Sequence, residues 1–115
     1  MNNRTIETIE RVWGPTSATP ASTPVTIAAT STAILAARTD GRRKHVILQN
    51  NGTEPVIIRL GGDASTAVYN VVLKDGSAGR DGNGASITID NYQGSIYGIV
   101  EANTGVISIL EMLSE

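Results

Sequence analysis

The chain has 115 residues, a formal net charge of −2, no cysteine, no phenylalanine, one tryptophan and three tyrosines. Its length suits a single domain that buries roughly two thirds of the unfolded surface. The absence of cysteine excludes disulfides, thiolate metal sites and a Cys nucleophile, and the weak net charge supplies no overall field to draw the protein to nucleic acid or anionic lipid. The core must be aliphatic, and the Ile, Val, Thr and Gly content favours strands over helices.

The opening segment MNNRTIETIERVW carries no long apolar stretch behind a basic start, so neither a secretory signal nor a transmembrane helix is expected, and the protein is expected to be made in a cytoplasm. Ile6, Ile9, Val12 and Trp13 fall near helical spacing, which predicts a short amphipathic helix from Asn3 to Trp13 that needs a partner surface. A lone Trp at the end of such an arm is either a core plug or an anchor in a partner's pocket. The anchor is the favoured reading. Gly14 and Pro15 end the helix, and GPTSATPASTP holds three of the four prolines in the chain. That composition predicts an extended linker, so residues 1–24 read as an N-terminal arm and Pro/Ser/Thr linker ahead of a β-sandwich domain spanning 25–115.

From Val25 onward short β-branched runs alternate with Gly, Asn and Asp. The predicted strands are Val25 to Thr30, a weaker Ala33 to Ala37, His45 to Asn50, Val56 to Leu60, Val68 to Lys74, Ala85 to Asp90, Ser95 to Glu101 and Val106 to Met112. About seven or eight short strands with no helical crossover predict an all-β antiparallel β-sandwich, jelly-roll or Ig-like. Asn51-Gly52 reads as a tight turn with positive-φ residues, making Val46 to Leu60 a hairpin.

Between the second and third runs, Arg38, Arg42, Arg43 and Lys44 gather four of the nine basic residues. This cluster is either a docking patch for an acidic surface or a solvated turn. His45, the only histidine, lacks a Gly-x-Ser-x-Gly elbow or a paired carboxylate constellation, so it reads as a strand-end residue and no enzyme is expected. The Gly-rich loop Lys74 to Gly84 has neither the Walker ending nor the ligand spacing of an EF-hand, and reads as a surface loop.

Two strands carry apolar residues on both faces. Val106, Leu110 and Met112 oppose Ile107, Ile109 and Leu113, while Ile57 opposes Val56, Ile58 and Leu60. Something must cover the second face, either the arm or a neighbouring subunit. The candidate partner-binding residues are therefore Ile6, Ile9, Val12 and Trp13 in the arm, with Ile57, Ile107 and Ile109 as inter-subunit faces. No catalytic, metal or cofactor-binding residue is assigned.

VTIAATSTAILAARTDGRRKHVILQNNGTEPVIIRLGG resembles the small β-sandwich structural proteins of tailed bacteriophages. The resemblance is carried by Val46-Ile47-Leu48-Gln49-Asn50-Asn51-Gly52 and by Val56-Ile57-Ile58-Arg59-Leu60-Gly61-Gly62. The later SIYGIVEANTGVISILEML resembles their closing strands, so the likeness spans roughly Val25 to Leu113. It implies a virion structural protein, most like a capsid decoration or cement protein on the outside of the head. Its partners would be the major capsid protein and itself, as a homo-oligomer and typically a trimer, with no cofactor, nucleic acid or membrane. A tail or head-fibre adaptor is the implied alternative. From another class, a carbohydrate-binding module would require Tyr69, Tyr92 and Tyr97 to cluster on one exposed face.

Overall fold

A computed structural model describes residues 16–20, 24–76 and 83–114. Nine strands follow in order: β1 (Thr16–Pro20), β2 (Val25–Ile27), β3 (Thr32–Leu35), β4 (Arg43–Asn50), β5 (Val56–Leu60), β6 (Val71–Leu73), β7 (Ser86–Asp90), β8 (Ile96–Ile99) and β9 (Gly105–Ser114). All eight predicted runs contain a strand. The ninth, β1, lies in the segment read as linker: it pairs antiparallel with β9 from Thr16↔Ser114 to Pro20↔Leu110 and so belongs to a sheet. The helix predicted for Asn3 to Trp13 lies outside the described residues.

Pairing follows a nested rule. β2 pairs β9, β3 pairs β8, β4 pairs β7 and β5 pairs β6, all antiparallel. The chain is thus one long hairpin with β5 and β6 at its tip, rolled so that successive pairs fall in alternate sheets. Two further pairings, β4 with β9 and β5 with β8, close the sheets. One sheet has five strands, ordered β1-β9-β4-β7 with β2 also on β9, and the other has four, ordered β3-β8-β5-β6. This is the jelly-roll form of the antiparallel sandwich.

The hairpin expected from Val46 to Leu60 is corrected by this topology. β4 and β5 lie in different sheets, and among the described residues positive φ occurs at Asn91, Asn103, Gly41 and Gly61, not at Asn51 or Gly52. The connection is an arch between sheets, organised by Asn50. That side chain is fully buried, accepts a hydrogen bond from the Gly52 N–H (2.9 Å) and donates to the carbonyls of Glu54 (2.8 Å) and Leu73 (3.0 Å). The Asn50 carbonyl is packed so closely that a Cβ on Gly84 would fall 1.8 Å from it.

Between the sheets lies an aliphatic core built from Ile27, Val46, Leu48, Val56, Ile58, Ile96 and Ile107, each fully buried. One charged pair enters it. Arg43 is 1% exposed, and its Nε donates to Glu111 Oε2 at 2.8 Å. Its terminal nitrogens donate to the carbonyls of Gly94 (2.8 Å), Ala36 (2.8 Å) and Tyr92 (3.4 Å). A β-bulge between Arg43 and His45 makes this possible. With strict alternation Arg43 would face away from Val46, Leu48 and Asn50, and the extra residue turns it inward beside them.

Arg43 and Asn50 therefore occupy opposite ends of β4 and define two poles. The first pole holds Arg43, Glu111 and Ser114; the second holds Asn50, Gly105 and the arches around them. Among the described residues every buried side-chain nitrogen and oxygen has a hydrogen-bond partner. Arg43→Ala is expected to lower unfolding free energy by about 3 kcal/mol or more, because it leaves Glu111 with Arg38 alone and strands three carbonyls. Asn50→Ala should cost about 2–3 kcal/mol through lost buried hydrogen bonds. Urea denaturation followed by circular dichroism measures both, and midpoints equal to the parent protein's would refute these roles.

Candidate partner-binding surface

Faces on β9 are the reverse of those sought for a partner. Ile107 is fully buried and Ile109 is 7% exposed, both inside the sandwich, and Leu113 and Glu111 share that side. Residues on the outer side of β9, Val106, Leu110 and Met112, are half-buried. Ile107 and Ile109 are thus corrected from inter-subunit face to core.

Ile57 receives a different cover from the one expected. It points out of the β5 sheet but is only 5% exposed, because residues 61–70, between β5 and β6, fold back over that face. Gly61 starts the return at φ +88°, a conformation L side chains avoid, and its N–H donates to the Ser95 carbonyl at 2.8 Å. Arg59 donates to the Asp63 carbonyl (2.8 Å), and Ser31 Oγ accepts the Ala64 N–H (3.0 Å). These bonds seat Ala64 against Ile57 and Ile99, with Tyr97 packed beside them. The need for a neighbouring subunit over Ile57 is removed by the chain itself.

That same loop leaves apolar surface further along. Ser65 Oγ accepts the Val68 N–H at 2.9 Å, and Asn70 Oδ1 accepts the Leu60 N–H at 2.8 Å. Held between these bonds, Val68 and Tyr69 stand 49% and 48% exposed, and Val72 on β6 is 46% exposed. They are the exposed large hydrophobic residues of the described chain, and they lie together. Beside them opens a cavity of about 280 Å³. Pro55, Ile57, Thr66, Tyr69 and Val72 line it. Glu54 and Glu101, with Ala102, complete the lining and bring two carboxylates to it. Glu54 Oε1 accepts from Asn103 Nδ2 at 2.9 Å, which steadies one of them. Apolar walls with a few fixed polar groups are the ordinary make-up of a binding pocket.

Three arginines of the basic cluster are engaged within the chain. Arg43 is buried, and Arg38 pairs with Asp40 (2.7 Å) and Glu111 (3.3 Å). Arg42 Nε donates to the Ser114 carbonyl at 2.7 Å. These cations tie the first pole together, leaving little of a patch for an acidic partner. His45 Nδ1 lies 2.6 Å from Asp90 Oδ1 on the outer side of the five-stranded sheet, both partly exposed. Among the described residues no group of three His, Asp or Glu could hold a metal ion. Residues 77–82 of the Gly-rich loop, like Ile6, Ile9, Val12 and Trp13, lie outside the described residues.

The tyrosines separate. Tyr92 packs against the main core and its hydroxyl donates to the Ser95 carbonyl at 2.8 Å. Tyr97 supports the Ile57 cluster, and Tyr69 alone lines the cavity. Among the described residues the three tyrosines do not gather on one exposed face.

No protein-family model and no curated protein matches this chain. Among solved structures, one from Bacillus endospore appendages, a family of disulfide-linked pili, is similar. Its TM-score is 0.56 at 20% sequence identity, covering 86% of this chain and 88% of that one. The likeness is one of fold, and the linking disulfides have no counterpart in a chain without cysteine.

The Asp40 carboxyl, hydrogen-bonded by Arg38 and then by the Arg42 N–H, is pulled from 3.8 down to about 2. Because the folded value is the lower one, its contribution to stability is complete above 3.8 and is lost as pH falls through about 2. Asp40→Asn should therefore flatten the fall in stability across that window, as read by denaturation at stepped pH. An unchanged acid limb would contradict the pairing.

Proposed function

We propose that this protein is a non-enzymatic structural subunit that binds an ordered protein lattice, with decoration of a tailed-phage head as the specific role. The observation that carries the reading is the distribution of chemistry. Among the described residues every buried side-chain nitrogen and oxygen has a partner, no group of His, Asp or Glu is gathered to hold a metal, and the exposed large hydrophobic residues sit at one pole, where Tyr69 and Val72 line a pocket. A body of that kind contributes by burying area against neighbours. A subunit that binds the assembled lattice better than its separated parts stabilises the lattice by linkage, and repeated contacts add avidity.

The resemblance of Val46 to Gly62 and of the closing strands to phage sandwich proteins supports the head-surface role. On that reading the partners are the major capsid protein and further copies of the chain, as a trimer, in the virion. A tail or fibre subunit is the second reading, favoured by the fold likeness to an appendage that forms pili.

Quantitative mass spectrometry of particles purified from the native source separates the two. Copies on the order of hundreds per head are expected for decoration, since repeated lattice positions must be filled. A dozen or fewer would support the tail or fibre reading, and absence from particles would overturn both.

A further inference from the structure

We infer that the pocket beside Tyr69 and Val72 takes the N-terminal segment of a second copy of this chain, Arg11 to Trp13 above all. Three observations converge on that occupant.

The first is chemical fit. The pocket joins apolar walls of Pro55, Tyr69 and Val72 to the carboxylates of Glu54 and Glu101. Its matching occupant is a large apolar side chain with a cation close by in sequence. Arg11-Val12-Trp13 is such a run, and Trp13 is the only tryptophan in the chain. Trp and Arg are also the residues that most often dominate protein interfaces.

The second is polarity. β1 runs antiparallel to β9 with Thr16 opposite Ser114, so Thr16, three residues after Trp13 in sequence, lies at the first pole. The pocket lies at the second, where Glu101 and Ala102 precede Gly105 at the start of β9. Ten residues of β9 separate them, about 30 Å at the usual rise per residue. Three residues reach about 10 Å at full extension, so Trp13 falls short of the pocket of its own chain. A copy placed ahead meets it directly.

The third is the concentration of exposed hydrophobic side chains. Val68, Tyr69 and Val72 each keep nearly half of their surface open, and Tyr69 and Val72 line the pocket. Apolar surface gathered in one place marks an interaction site more strongly than the same surface scattered.

A contact from the first pole of one copy to the second pole of the next is heterologous. It closes into a ring if the rotation between copies permits, and otherwise runs on as a filament. Either outcome is compatible with the two functional readings above, and the inference does not depend on which lattice the protein joins.

The test uses the full chain with the exposed Val72 replaced by a photoreactive benzoylphenylalanine. Light and isotope-heavy copies are mixed as dilute monomers, concentrated and irradiated, and the linked peptides are sequenced by mass spectrometry. Links between position 72 and residues 1–15 that join heavy to light chains are expected. Tyr69→Ala and Trp13→Ala should each weaken association about 30-fold or more in sedimentation equilibrium, the scale of a binding hot spot. Links confined to one isotope would place the segment in its own pocket and overturn the inference. Links to other parts of the chain, or a monomer at every concentration, would overturn it too.

Discussion

The buried guanidinium of Arg43 is the constraint around which the sandwich is organised. It donates to Glu111 on β9, to Ala36 ahead of β4, and to Tyr92 and Gly94 between β7 and β8. Three separate passages of chain are thus fixed relative to β4 by one side chain. A buried ion pair is weak grounds for stability, since desolvating both charges offsets much of their attraction. Its effect here is on register: Glu111 faces inward on the side of Ile107 and Ile109, and the bulged β4 brings Arg43 to within 2.8 Å of it, with Arg38 at 3.3 Å on its other oxygen. Asn50 does the corresponding work at the other end of β4 through neutral hydrogen bonds. Between these two polar ends the core needs only aliphatic side chains, which suits a chain without phenylalanine.

The strands were legible in the sequence because each β-branched run is bounded by residues that end pairing, and the sandwich class followed from their number and spacing. Which strands pair was not legible. Asn51-Gly52 has the composition of a hairpin turn, yet the fully buried Asn50 side chain binds the arch internally and sends β5 to the opposite sheet. Local composition carries no information on that choice, because the nested pairing joins residues far apart in sequence. Arg43 was hidden for a related reason. Simple alternation from Val46 and Leu48 places it outside, and a bulge cannot be read from alternation. Glu111 was a usable signal: it shares the period-two face of Ile107, Ile109 and Leu113, and a carboxylate there demands a buried cation. The β1 strand was missed because Pro, Ser and Thr read as linker, although an edge strand tolerates Pro.

Candidate binding residues divided in the same way. Two apolar faces on β5 and β9 were visible, but the sequence did not distinguish cover by the chain's own loop from cover by a neighbour. The loop from Gly61 to Asn70 settles this for Ile57 and, in doing so, exposes Val68 and Tyr69. The pocket is therefore a consequence of how the jelly roll seals its own face. A first pole bound up in ion pairs and a second pole carrying apolar surface give the subunit a direction, as head-to-tail packing requires.

Hydrogen–deuterium exchange on the full chain, compared between dilute and concentrated solution, tests this division of the molecule most directly. Gained protection confined to residues 1–15, 54–57, 66–72 and 101–102, with β4 slow to exchange in both states, is the expected result. Protection gained on the outer side of β9 and β4 instead, or no change with concentration, would contradict it.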